Sequence, residues 1–157
     1  MLRIGKLTDY ATVILASMAA DRSRLQNAGS LAERTHIAAP TVSKLLKQLQ
    51  RSGLVKSTRG THGGYQLARA PEEISAAAIL DALEGPLALT ECSSGEGVCC
   101  IEHTCSVGRT WQRLNLVIHR SLSEISLAQL AGLDNRAPLM PIERELKQMT
   151  RPSKVPA

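Results

Sequence analysis

The segment Glu91–Ser106, ECSSGEGVCCIEHTCS, limits what this chain can become more than any other stretch. It holds all four cysteines of the protein: Cys92, Cys99, Cys100 and Cys105. The glycines and serines between Cys92 and Cys99 disfavour a regular helix or strand but let the chain wrap something small. Thiolates are soft ligands that select zinc, copper(I) or iron–sulfur clusters. Structural zinc sites usually place their cysteines as C-x2-4-C pairs around a tight knuckle. Here the gaps are six residues from Cys92 to Cys99 and five from Cys99 to Cys105, which suits a wider object. The adjacent Cys99 and Cys100 tend to point to opposite sides, so one of them is expected to bind. Spacing favours a cluster and leaves zinc, a disulfide or redox thiols open.

A chain of 157 residues fits one domain, or one small domain with an appendage. Nineteen basic against fourteen acidic residues give a net charge of +5, a mild pull towards a polyanionic partner. Tyr10, Tyr65 and Trp111 are the whole aromatic complement, which argues against binding single strands by base stacking. No apolar run reaches the ~18 residues of a membrane span. The N-terminus has a faint signal-peptide character, but Thr8 and Asp9 interrupt it, so a cytoplasmic helix is expected. In that reducing setting, clustered cysteines are more often ligands or sensors than structural disulfides.

Leu7, Tyr10, Val13, Ile14 and Met18 recur at helical spacing and predict a first helix over Lys6–Ala20. Asp9 falls in its first turn, where a carboxylate favours the positive end of the helix dipole. Ser30 and Glu33 have capping-box spacing and predict a short helix to Thr35. After the turn His36–Ala39, Pro40 opens a longer helix to Ser52, stopped by Gly53. Val42, Leu45, Leu46 and Leu49 form its apolar stripe. Thr41, Ser43, Lys44, Lys47 and Arg51 are left on exposed faces. Two short strands then flank the glycine-rich tip Arg59–Gly64 and predict a β-hairpin. Short helix, turn, longer basic helix and hairpin is a winged helix-turn-helix pattern. From Arg34 to Arg69 there are seven Lys or Arg and no Asp or Glu. A single-sign segment on such a motif marks a duplex-DNA footprint. Its candidate contacts are the five exposed helix residues together with Lys56, Arg59 and His62.

Ile74–Ser75 predicts another helix, to Glu84, with Ser75 as its cap and Gly85-Pro86 as its end. After Cys105, Ser106 is placed to cap a long helix to Glu124. Its apolar stripe runs Trp111, Leu114, Val117, Ile118, Leu122 and Ile125. Little of the chain is left for that stripe to pack on, so it is expected to pair with its twin in a homodimer. Packing on the first helix is the alternative. A short helix over Ser126–Ala131 follows, then a proline-containing tail expected to lack order. The fold class expected is mainly α with a small β-hairpin wing. Its divisions are a DNA-binding domain over 1–85, a cysteine loop over 86–106, dimerisation and following helices over 107–132, and the tail 133–157.

With these segments laid out, the chain resembles the Rrf-two superfamily of bacterial winged-helix iron–sulfur regulators, whose branches include IscR, NsrR and RirA. Leu7-Thr8-Asp9-Tyr10-Ala11, Arg59-Gly60 through Gly63-Gly64-Tyr65, and Cys92, Cys99 and Cys105 carry the resemblance. Thr110 to Asn115, TWQRLN, is most similar to the branch that regulates SUF cluster assembly. The resemblance implies a homodimer on a palindromic promoter site, with the helix from Pro40 in the major groove and Arg59 in the minor groove. It also implies a 2Fe–2S or 4Fe–4S cluster on Cys92, Cys99 and Cys105, whose state changes DNA affinity. Two positions depart from the family pattern. Gly108 stands where the isc branch has a histidine ligand, and Cys100 is extra. The fourth ligand is therefore open, with Asp9 of the partner subunit leading and Cys100 or His103 as alternatives.

The function expected is a repressor of iron–sulfur assembly genes that senses cluster status, redox or nitric oxide. A DNA-binding regulator with a zinc site or thiol switch is the second reading, and a cluster-bearing electron carrier the third. No Ser/His/Asp arrangement or C-x3-C-x2-C signature points to an enzyme, and His36, His62, His103 and His119 form no metal-spaced set.

Overall fold

The structure, a computed structural model, describes residues 3–22, 24–60, 63–94, 99–100 and 104–134. Its elements run α1 Lys6–Ala20, α2 Ala28–Thr35, α3 Ala39–Arg51, β1 Val55–Thr58, β2 Gly64–Leu67, α4 Ala76–Glu84, α5 Gly108–Glu124 and α6 Leu127–Leu130. Mainly helix with one two-stranded antiparallel hairpin is the expected class. His62, His103 and all but the first two residues of the tail lie outside the described residues.

Helix α1 is the hub. Ala11, Ile14, Leu15, Met18 and Ala19 are buried along it, and it packs against α2, α3, α4, α6 and β2. From α3 the stripe Val42, Leu45, Leu46 and Leu49 fills the same core, joined by Leu31, Leu54, Ile74, Ile79 and Leu127. Burying a side chain of this size contributes about 1.5–3 kcal/mol. Between α2 and α3, His36 takes the left-handed conformation at φ 55° and ends the first helix of the motif.

Two predicted caps are replaced. Helix α2 starts two residues before Ser30, because Asn27 Oδ1 accepts the Ser30 amide at 2.8 Å. Helix α5 starts after Val107 with no side-chain cap, so Ser106 does not cap it. The cap at Ser75 stands, its hydroxyl accepting the Ala78 amide at 3.1 Å. A capping box joins Ser126 and Gln129 ahead of α6.

In the hairpin, Val55 pairs with Leu67 and Thr58 with Gly64. A third short stretch joins it where Gln26 and Tyr65 exchange amide–carbonyl bonds of 2.9 and 2.8 Å. Gly63 turns the tip so tightly that a Cβ there would stand 2.3 Å from the Thr58 carbonyl oxygen.

Helix α5 packs against α4, where His119 Nε2 lies 3.3 Å from Asp81 Oδ2, and against the turn Glu91–Ser93. Its N-terminal half does so with polar side chains, whereas Ile118 and Leu122 further along are half-buried. Asn115 is 9% exposed, whereas Val117 is 61% exposed and Trp111, Leu114 and Leu116 are also in solvent.

Candidate functional site

Lys44, Lys47 and Arg51 recur along α3 on the side away from its buried stripe, and all three are exposed. Thr41 and Ser43 are half-buried beside them. Lys56 on β1 and Arg59 at the wing tip are exposed too. Helix and wing thus present cations of one sign on neighbouring elements, shaped to meet a groove and its flanking phosphates.

The cysteine loop leaves α4 at Gly85 and returns at the start of α5. Cys92, Cys99 and Cys105 are half-buried, Cys100 is exposed, and none of the four is in a disulfide. The Thr90 hydroxyl lies 3.1 Å from Cys92 Sγ and 3.0 Å from Ser93 Oγ. Behind the loop, Gly108 is buried at the head of α5, and a Cβ there would sit 3.5 Å from Cys105 Sγ. A side chain at that position would face the sulfur, and glycine leaves the space beside it open. Among the described residues, no three His, Cys, Asp or Glu side chains converge on a point that would hold one metal ion.

Asp9 is not beside this loop. Its exposed carboxylate rims an apolar cavity lined by Ile4, Ile79, Leu122 and Ile125. Gly108 and Leu122 stand fourteen residues apart on one helix, about 21 Å at 1.5 Å per residue. Within one protomer, Asp9 and Cys105 therefore lie at opposite ends of α5.

The Rrf2 family model, described as iron-dependent transcriptional regulator, matches residues 4–132. The chain belongs to the Rrf2 family. It is a DNA-binding transcriptional regulator rather than an enzyme, built as a winged helix. It is 36% identical over 101 residues to protein rrf2 of Nitratidesulfovibrio vulgaris, covering 64% of this chain and 67% of that one. It is 29% identical over 124 residues to the transcriptional regulator NsrR of Halalkalibacterium halodurans, covering 78% and 80%. Among solved structures, CymR, the global cysteine regulator of B. subtilis, superposes with a TM-score of 0.66 at 27% identity, covering 86% of this chain and all of that one.

In this Rrf2 chain, then, the fold sets the basic side chains of α3 and the wing on neighbouring elements, while the thiols share one loop and, among the described residues, gather no three-ligand set. Asp9 stands apart from both. Glu84, Thr90, Gln112 and Asn115, which fix the loop and its approaches, were not named as site residues from sequence, and Gln112 and Asn115 entered only within the segment Thr110 to Asn115 that carried the resemblance. Each acts on a backbone or side chain that its own periodicity does not reveal. No helix among the described residues is long and apolar enough to cross a membrane.

Proposed function

We propose that this regulator is a homodimer that represses iron–sulfur assembly genes, in the manner of the SUF branch, and responds to cluster status, redox or nitric oxide. A 2Fe–2S or 4Fe–4S cluster on Cys92, Cys99 and Cys105 is the sensing group. The observation that carries this reading is the loop itself: three half-buried thiols, in no disulfide, spread along the chain with six and five residues between them. That spread suits a cluster several ångströms across better than one tetrahedral zinc ion. When bound, the cluster supplies a centre that oxidants and nitric oxide attack. The chain's own residues do the rest: α5 carries the loop, α4 links it to the core, and α3 and the wing meet the DNA.

The exposed apolar side chains of α5, Trp111, Leu114, Leu116 and Val117, support the dimer. A second α5 running antiparallel covers them. It also brings the partner's Asp9, which lies on α1 beside the far end of α5, towards Cys105, which gives Asp9 a route to the fourth position that one protomer lacks.

A second reading keeps the DNA-binding lobe and uses the thiols, with the exposed Cys100, as a zinc site or redox switch. The likeness to a cysteine regulator favours it. Anaerobic purification followed by a visible spectrum and iron, sulfide and zinc analysis separates the two. Iron with matching sulfide supports the cluster; zinc, or no metal, supports the second reading.

A further inference from the structure

The polar stripe that α5 turns inward grips the cysteine loop at both ends. Gly108, Gln112 and Asn115 lie on one side of the helix by their spacing. Asn115 Oδ1 accepts the Leu89 amide at 3.1 Å, and its Nδ2 donates to the Leu87 carbonyl at 2.9 Å. One turn earlier, Gln112 Nε2 donates to the Cys92 carbonyl at 2.9 Å. Gly108, a turn earlier again, backs onto Cys105 Sγ. The outermost cysteines of the loop therefore rest against the same stripe of one helix.

Protomer stability does not explain this choice. Burying an amide in place of a leucine forgoes apolar burial and orders a polar side chain. The same helix leaves Trp111, Leu114 and Val117 in solvent while giving the N-terminal half of its inward face to Gln112 and Asn115. The stripe is arranged for what it holds.

We infer that Gln112 and Asn115 are positioning residues for Cys92. They pin the chain from Leu87 to Cys92 against α5, so that the outer two thiols keep a set spacing and any change in the loop is felt by the helix. This deepens the proposed function and rests on the loop being the sensing site. Groups that orient metal ligands from outside the ligand set change metal affinity about ten- to a hundredfold when removed.

The test begins with cluster-free, reduced protein labelled by iodoacetamide and followed cysteine by cysteine by mass spectrometry. Gln112→Met removes the donor and keeps the length, whereas Gln112→Lys keeps a donor. In Gln112→Met, Cys92 should label about two- to tenfold faster, the effect of losing one hydrogen bond, with Cys100 unchanged. Gln112→Lys should stay within about twofold of wild type. Asn115→Val should raise amide exchange across residues 87–92; should it not fold, the Gln112 pair still decides. After reconstitution with iron and sulfide, Gln112→Met should bleach about tenfold faster in chelator. Unchanged labelling of Cys92, or an equal rise at Cys100, overturns the assignment. If wild type takes up no cluster at all, the proposed sensing function fails, while the labelling result still confirms or overturns the clamp on Cys92.

Discussion

Thr8 Oγ1 donates a 2.6 Å hydrogen bond to Glu84 Oε1, and the Gly5 amide reaches the same oxygen at 2.8 Å. The last residue of α4 thus caps the first turn of α1, placing a carboxylate at the positive end of the helix and satisfying one of its orphan amides. The fit is close: a Cβ on Gly5 would stand 2.9 Å from that oxygen. The Thr8 hydroxyl first, and the Gly5 amide second, hold the Glu84 carboxyl below its ordinary value of 4.5.

This contact predicts acid sensitivity. The folded value lies below the unfolded one, so the contribution of the clamp is present in full above about pH 4.5 and is lost as pH falls through the lower folded value. Glu84→Gln should be less stable than wild type at pH 7, with the gap closing in acid. Urea unfolding at pH 7 and pH 3 checks it. Thr8→Val, at a site 2% exposed, should cost about 1 kcal/mol at pH 7.

Duplex binding should weaken steeply with salt, each phosphate contact adding a slope of roughly −0.9 on a log–log plot. Lys44→Ala or Lys47→Ala should reduce that slope by about 1. Arg59→Ala should cost about 1–3 kcal/mol if it reads a groove. Fluorescence anisotropy across salt concentrations measures both, and equal affinity for duplex and single strand would contradict the winged-helix interface.

How much was legible in the sequence depends on how far each cause reaches. Periodicity located the α3 stripe because its buried residues repeat within one helix; it located α1 as well, but Leu7 and Val13 of the expected set are exposed and the small Ala11 and Ala19 are buried with Leu15 instead. Ser75 was legible as a cap because its partner, Ala78, is three residues away. Ser30 was misleading: Asn27 has the same chemistry three residues earlier, and the turn that presents it depends on Gln26 pairing with Tyr65. The contacts that shape the site were not legible, since Glu84 reaches back to Thr8 and Asn115 back to Leu87 across chain that local patterns cannot close. The stripe of α5 was visible, but which side faced inward required the fold.

Substitutions should separate the four thiols. Cys92→Ala, Cys99→Ala and Cys105→Ala are each expected to lose the visible absorbance of the cluster, and Cys100→Ala to keep most of it. Bleaching by Cys100→Ala with retention in Cys99→Ala would reverse the assignment of the middle ligand.

The dimer and Asp9 can be tested together. Val117→Asp should shift the protein to monomer in sedimentation, because it places a charge on the exposed apolar side of α5. Asp9→Ala should keep the fold but alter the cluster spectrum and speed its loss in air. A mixed dimer of an Asp9→Ala chain with a chain lacking the cysteines should recover the wild-type spectrum, since only a ligand supplied across the dimer completes that site. If Asp9→Ala changes nothing while His103→Ala alters spectrum and lifetime, His103 is the fourth ligand.

The central claim is that the state of the cysteine loop sets DNA affinity. The most direct measurement is binding of anaerobically purified protein to its own promoter fragment, before and after cluster removal by nitric oxide, with iron and sulfide assayed in the same samples. The account predicts iron and sulfide at the start and a change in affinity of about tenfold or more that tracks their loss, abolished in Cys92→Ala. Protein that carries no iron or sulfide, or whose DNA affinity is the same with and without them, would contradict it.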